Sequence, residues 1–198
     1  STGGSSTTEK TTSATKTTQQ TAEATTKATE ATTQATTSNT SYVGKGMYVD
    51  GTKLYTADGS EFVMRGVNYA YCWFTSRTIA DIKKGGELGS NTARVVLGLG
   101  QRSDWDDYGH ATTQDEVEAI IEACRESGQI CVLELHDPTG QDDTNWISEC
   151  VKYWKNLKDT LNANKDYVIL NIANEWMSSG GNDTYKNTYV DAVKSLRD

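Results

Sequence analysis

The sequence has 198 residues and a formal net charge of −8 at pH 7, with 23% charged residues. An acidic chain without basic clusters argues against nucleic acid and anionic membranes as partners, and it suits a neutral ligand. No apolar run is long enough to span a bilayer.

Residues 1–41 differ in composition from the rest of the chain. They are almost all Thr, Ser, Ala, Gln, Gly, Lys and Glu, without an aromatic or large aliphatic residue. Such a segment cannot bury enough apolar surface to offset its ordering entropy, so we predict a disordered linker. Thr-rich linkers are mostly extracellular, which indicates a secreted protein. Because the chain begins inside this segment and without Met, we expect a signal peptide or another module to precede it.

The predicted folded part, residues 42–198, opens with a hairpin. Asp50-Gly51 lies between two short runs of alternating polarity, which is a strong hairpin signal. A buried strand is predicted over Phe62–Asn68, and a helix over Arg77–Leu88 that ends before Gly89.

Three further strand–helix pairs follow along the chain. Apolar runs predict strands at Thr92–Leu97 and Ile130–Leu135 and in the stretch from Tyr167. Thr113 and Glu116 form a predicted capping box that begins the helix ending near Ser127. The last two helices are predicted over Trp146–Leu161 and Tyr185–Leu196.

Strand–helix repeated four times indicates a parallel α/β sheet, either open and doubly wound or closed as a β/α barrel. The turn after the first strand has no Gly-rich phosphate motif, which favours the barrel. A complete barrel takes roughly 250 residues, whereas the folded part has 198 − 41 = 157. We therefore predict about the first half of a (β/α)8 barrel.

The stretch Tyr167–Trp176, Y-V-I-L-N-I-A-N-E-W, ends a predicted strand buried on both faces with an amide, a carboxylate and an indole. A side-chain period of two puts Asn171, Ala173 and Glu175 on one face, with Glu175 at the mouth of the barrel. Catalytic residues of such barrels lie at the carboxyl ends of the strands. The alternative is a surface glutamate just past a strand.

The other strand ends bring more polar groups to the same edge. They carry Asn68, Arg94 and His136. A charge within a buried strand must be paired, so Arg94 is expected to contact Glu134. That pair either fixes the core or orients a catalytic carboxylate and shifts its pKa. The alternative for His136, taken alone, is a histidine packed in the core.

These polar groups and the nearby aromatic side chains suggest a carbohydrate site, because aromatic faces stack on sugar rings while amides and carboxylates bind hydroxyls. Three other tryptophans are predicted to be packing or loop residues, namely Trp105, Trp146 and Trp154. Cys72, Cys124, Cys131 and Cys150 show no metal-ligand spacing and are predicted to be buried free thiols, with Cys124–Cys131 pairing as the alternative. We expect neither a metal nor a cofactor.

Four motifs in order resemble the first four barrel strands of glycoside hydrolase family 5. They are F-V-M-R-G-V-N, N-T-A-R-V-V-L, V-L-E-L-H-D-P-T-G-Q-D-D and I-L-N-I-A-N-E-W. The H-D-x-T-G-x-D-D and A-N-E-W forms are most similar to the bacterial endo-β-1,4-mannanases of this family. Trp176 stands where cellulases often have Pro, which favours a mannanase over an endo-β-1,4-glucanase. A non-catalytic carbohydrate-binding fragment is the other alternative.

The resemblance implies retaining hydrolysis of β-1,4-mannosidic bonds in mannan or a related neutral polysaccharide. It implies that Glu175 is the general acid/base, that Asn174 binds the sugar 2-hydroxyl, and that Arg94 and His136 support the carboxylates. Sugar contacts are implied for four aromatic residues, namely Trp73, Trp176, Tyr69 and Tyr71. Through the linker we expect further modules, such as a carbohydrate-binding module or a dockerin.

Two departures from the family pattern have consequences. Tyr69 and Tyr71 stand where such mannanases often have His. The nucleophile in the family is a glutamate on the seventh strand, which this sequence does not reach, so we predict that the 198-residue chain alone is inactive. Glu134 is not expected to replace it, because it lies one layer below His136.

Overall fold

A computed structural model describes residues 45–105, 110–180 and 182–198. The predicted linker, residues 1–41, lies outside these residues. The elements follow in chain order: β1 (Tyr48–Asp50), β2 (Lys53–Tyr55), β3 (Gly66–Tyr69), α1 (Thr75–Glu87), β4 (Thr92–Leu97), α2 (Gln114–Glu126), β5 (Ile130–Leu135), α3 (Asn145–Asn156), α4 (Lys158–Ala163), β6 (Val168–Asn171) and α5 (Asp183–Arg197).

The strands form a small hairpin and a four-stranded sheet. β1 and β2 pair antiparallel around Asp50-Gly51, so the hairpin prediction is confirmed. The larger sheet has the order β3-β4-β5-β6, and all three of its strand pairs are parallel. A doubly wound sheet reverses its strand order at a switch point, whereas this sheet adds each strand beside the previous one, as a (β/α)8 barrel does.

The core lies between one face of this sheet and the helices. Ala93, Val95 and Leu97 alternate along β4, and none of the three side chains is exposed. They belong to one hydrophobic cluster with residues of α1, α2, α3 and α5, such as Ile82, Ile120, Ile147 and Ala192. Burying this apolar face is what holds the helices on the sheet.

Strand β3 differs from the prediction. The prediction of a buried strand over Phe62–Asn68 was wrong, because strand pairing starts only at Gly66 and Val67 is 50% exposed. The Asn91 side chain accepts from the backbone N–H of Arg65 and donates to the carbonyl of Val63. These side-chain bonds occupy backbone groups that a longer ladder would have used.

Two other elements also depart from expectation. β6 covers only Val168–Asn171 and is half-buried throughout, because it is an edge strand. The helix predicted over Trp146–Leu161 is broken at Leu157, where φ is −97° and ψ is 10°, into α3 and α4.

The first and last helices, α1 and α5, each begin two residues before their predicted starts, and several other local predictions are confirmed. β4 and β5 have the predicted bounds, and α2 begins with the predicted capping box of Thr113 and Glu116. All four cysteines are buried and free, so Cys124 and Cys131 do not form a disulfide. Trp154 is packed in the core with 1% exposure.

Candidate active site

Arg94 connects three strands on the sheet face opposite the apolar core. Its Nη1 donates to Oδ1 of Asn68 at 2.6 Å, and its Nη2 donates to Oδ1 of Asn174 at 2.8 Å. The same Nη2 lies 3.5 Å from Oε2 of Glu134, which confirms the predicted ion pair. The guanidinium presents several donors in a fixed plane, so one side chain fixes the positions of two amides and a carboxylate.

Glu134 is a completely buried carboxylate beneath His136. Its Oε1 lies 2.8 Å from Nδ1 of His136. A carboxylate only accepts, so the hydrogen between the two groups is assigned to Nδ1. Glu134 therefore holds the imidazole of His136 in one orientation at the carboxyl end of β5.

Two tryptophans surround the imidazole. The ring centroids of Trp73 and Trp105 lie 5.4 Å each from that of His136 and 5.5 Å from each other. The guanidinium carbon of Arg102 lies 3.9 Å from the Trp105 ring centroid, a cation–π contact. Both indoles are partly exposed, so they offer apolar surface beside the polar groups. Trp105 was predicted only to pack or to lie in a loop; it joins the site.

The Asn174-Glu175 pair lies beyond the end of β6. The alternation predicted for Glu175 stops at Asn171, the last strand residue. Asn174 stays attached to β5 because its N–H donates to the carbonyl of Leu135 at 2.9 Å. Glu175 has a positive φ of 37° and an exposed side chain, which makes no hydrogen bond or ion pair with the described residues. Its carboxylate is therefore available to a ligand.

The loop after β5 is hydrogen-bonded to the loop after β4 at this edge. The sequence analysis did not predict these contacts. The buried Asp137 carboxylate accepts from the backbone N–H groups of Leu99 and Gln101 at 2.7 and 2.9 Å. Nη1 of Arg102 donates to the carbonyls of Asp137 and Thr139, both at 2.9 Å. A sequence signal existed, because Asp137 directly follows a strand-end histidine and Thr139 comes two residues later. The partner Arg102 lies in a different loop and gave no signal.

Three residues predicted to contact the sugar are buried, with Tyr69 8% exposed. The Tyr69 ring points at α1, where a Cβ on Gly85 would lie 2.0 Å from its hydroxyl oxygen. Tyr71 is 6% exposed, and its hydroxyl donates to Glu116 at 2.8 Å. Trp176 is 2% exposed, and its indole N–H donates to a loop carbonyl at 3.0 Å. These rings therefore offer little surface to a ligand.

The Cys72 thiol lies near the two buried acids of this edge. Burial, and then the charges of Glu134 and Asp137, raise the pKa of the nearby Cys72 thiol to about 12. Cys72 therefore stays a neutral thiol. Within the ranges that the structure covers, no cluster of three His, Cys, Asp or Glu side chains could hold a metal ion. None of the described helices is long and apolar enough to cross a membrane.

The fold puts these side chains where a β/α barrel carries its active site. The parallel strands and the loops after them bring an amide, an imidazole, a guanidinium and indoles to the carboxyl ends of the sheet, and the exposed carboxylate of Glu175 directly follows the amide. The family Cellulase (glycosyl hydrolase family 5) matches residues 55–198, well over half of the sequence. The chain belongs to glycosyl hydrolase family 5.

Several relatives carry a more specific name. The chain is 38% identical over 153 residues to a mannan endo-1,4-beta-mannosidase of Salipaludibacillus agaradhaerens, covering 77% of this chain and 48% of the relative. It is 41% identical to the enzyme of the same name from Streptomyces lividans, covering 76% and 37%. A beta-mannanase from Streptomyces thermolilacinus, crystallised with mannohexaose, matches with a TM-score of 0.64 and 35% identity, covering 77% and 49%.

These similarities confirm the resemblance and the fold class predicted from the motifs. The four parallel strands are part of a (β/α)8 barrel. The chain spans half the length, or less, of these three relatives.

Proposed function

We propose that this chain supplies the acid/base half of the active site of an endo-acting hydrolase that cleaves β-1,4-mannosidic bonds. The observation that carries the proposal is the exposed, unbonded carboxylate of Glu175, which directly follows Asn174, and the Asn174 amide is in turn bonded to Arg94. Relatives at 38% and 41% identity are named mannan endo-1,4-beta-mannosidases, which supports a mannan substrate.

Each residue has a role in the proposed reaction. Glu175 protonates the glycosidic oxygen and, after the leaving group departs, activates water. Asn174 binds the sugar 2-hydroxyl. Arg94 and His136 support the carboxylates, while Trp73 offers an apolar face to the sugar ring.

A retaining mechanism needs a second carboxylate about 5–5.5 Å from the first. Neither buried acid of this edge suits that role. Glu134 has no exposed surface and holds His136, whereas Asp137 holds the N–H groups of Leu99 and Gln101. We infer that the nucleophile lies in a region that corresponds to the part of the relatives not matched by these 198 residues. The 198-residue chain alone is therefore expected not to hydrolyse mannan.

A chimera tests the substrate and the role of the chain. Residues 45–198 replace the matched part of the Streptomyces lividans relative, and release of reducing sugar is measured on mannan and on β-glucan. We expect mannan hydrolysis by the chimera, much slower release from β-glucan and none from the 198-residue chain. Faster release from β-glucan would favour an endo-β-1,4-glucanase, and binding without release would favour a carbohydrate-binding protein. Turnover of mannan by the 198-residue chain, abolished in Glu175→Gln, would overturn the inferred inactivity.

We further propose that the protein acts outside the cell, where mannan is found, and that residues 1–41 connect it to other modules. The Thr-rich composition of this segment supports the proposal. Detection of the protein in the culture medium of its source organism would test it, and retention inside the cells would contradict it.

A further inference from the structure

The Thr139 hydroxyl lies between two groups of the site edge. Its Oγ1 donates to the carbonyl oxygen of His136 at 2.6 Å, and it accepts from Nδ2 of Asn174 at 2.9 Å. We propose that Thr139 is a positioning residue that fixes which way the Asn174 amide faces. The importance of that orientation for catalysis rests on the proposed function, whereas the orientation itself does not.

The direction of the hydroxyl hydrogen decides what Asn174 can present to it. A threonine hydroxyl has one hydrogen, and here that hydrogen is directed at the His136 carbonyl. Only lone pairs remain for Asn174, which must therefore present its NH2 group to Thr139.

Arg94 selects the same orientation from the other side. A guanidinium only donates, so Nη2 of Arg94 must meet Oδ1 of Asn174, and it does so at 2.8 Å. A flipped amide would place two donors together at Arg94 and two acceptors together at Thr139. Thr139 and Arg94 thus determine one amide orientation between them.

This orientation leaves one N–H of Asn174 for a ligand. Nδ2 carries two hydrogens, and one of them is bonded to Thr139. The other has no partner among the described residues, and in the proposed function it is the hydrogen that meets a sugar hydroxyl. Thr139 acts through Asn174 in this account, so it is not itself a catalytic residue.

The backbone on both sides of Thr139 is anchored. Nη1 of Arg102 donates to the carbonyls of Asp137 and Thr139, and the N–H of Gly140 donates to the carbonyl of Glu175 at 3.1 Å. The hydroxyl therefore has little freedom to turn away from Asn174. The bond from the Gly140 N–H is also a direct contact to the backbone of Glu175, whose positive φ is a conformation that a non-glycine residue adopts only when its surroundings impose it.

The test is nuclear magnetic resonance of the Asn174 side-chain amide in the full 198-residue chain. Its signals are identified by their loss in Asn174→Ala. In Thr139→Val the hydroxyl is lost at similar volume, and we expect hydrogen exchange of this amide to become about tenfold faster, as the loss of one hydrogen bond predicts. Thr139→Ser keeps the hydroxyl and should retain the original exchange.

Matched variants make the result decisive. Thr144→Val removes an exposed hydroxyl of the same loop that caps no helix N–H, and it should leave Asn174 unchanged. Thr139→Ala is the second hydroxyl-free variant if the valine methyl disturbs folding. Equal exchange in wild type and in the folded hydroxyl-free variant would overturn the proposal.

Kinetics in the chimera separate this inference from the proposed function. Thr139→Val should lower kcat on mannan about tenfold, and the double variant with Asn174→Ala should be no slower than Asn174→Ala alone. A chimera without mannanase activity would refute the proposed function. The amide measurement needs no turnover and would still decide the role of Thr139.

Discussion

The two faces of β4 and β5 differ in polarity: one is apolar and packs against the helices, and the other carries charged side chains. On the helix-facing side, Val95, Leu97, Leu133 and Leu135 are completely buried and apolar. On the other side, Arg94 and Glu134 carry charges that are tied to amides and an imidazole. Burying apolar area stabilises the fold without directional bonds, whereas a buried charge is tolerated only when partners satisfy it. One strand pair thus provides stability on one face and orientation on the other.

The polar face contains a second contrast, between its two glutamates. Glu134 is completely buried and bound to His136 and Arg94. Glu175 is exposed and makes no side-chain bond to the described residues. A carboxylate with fixed partners positions other groups, and a carboxylate without them can exchange protons with a substrate. The difference supports Glu175 as the acid/base.

A large effect on folding is expected on the polar face. Arg94→Met would leave the buried Glu134 with His136 as its remaining partner, and breaking a buried pair costs about 3–5 kcal/mol. Since 32% of the Arg94 side chain is exposed, we expect a loss near the lower end, measured by urea unfolding. Arg94→Lys keeps the charge and should lose less. Unchanged stability in Arg94→Met would contradict the role of this pair.

On the apolar face, the stability should depend on the volume of the buried side chains. Leu133→Ala would leave a cavity and destabilise the protein by about 2–4 kcal/mol, while hydrogen exchange of the Asn174 side-chain amide stays unchanged. Val67→Ala is the matched control, because Val67 is 50% exposed on an edge strand and should cost less than about 0.5 kcal/mol. Altered Asn174 exchange in Leu133→Ala would show that the two faces are not independent.

The smallest effect concerns a carboxylate outside the polar face. Despite opposing burial, hydrogen bonds from the Thr113 N–H and hydroxyl, then from Tyr71 and His110, lower the pKa of Glu116 to about 2. A depressed pKa stabilises the fold above the unfolded value near 4.5, and that contribution disappears as the pH falls towards 2. The stability difference between wild type and Glu116→Gln should therefore be largest above pH 4.5 and shrink below it.

Thermal melts between pH 2 and 7 would measure that difference. Glu122→Gln removes the same charge from the same helix without touching this network, so it serves as the control. A difference between wild type and Glu116→Gln that stays constant across this range would contradict the role of Glu116.

Sequence patterns predicted the bounds of the two strands that have a neighbouring strand on each side. β4 and β5 have neighbours on both edges, so their apolar runs match their observed bounds. β3 and β6 are edge strands, and their apolar residues did not show where pairing stops. The pairing of Arg94 with Glu134 followed from the cost of an isolated buried charge, which requires no knowledge of distant residues.

The contacts made by the loops could not be predicted from sequence patterns. Glu175 could not be placed by alternation, because the strand ends at Asn171 and φ becomes positive at Glu175. The contact of Trp105 with His136 depends on how the loop after β4 folds back. Thr139 is one of many threonines in the chain, and only the position of Asn174 beside it distinguishes it.

The dependence of rate on leaving group tests the role of Glu175 most directly. In the chimera with Glu175→Ala, release of a poor leaving group from an aryl β-mannoside should fall by about 10²–10⁴, because proton donation is lost. The initial burst of a dinitrophenol, which needs no proton, should fall less than about tenfold. Equal losses for both leaving groups, or no loss for either, would show that Glu175 is not the acid/base.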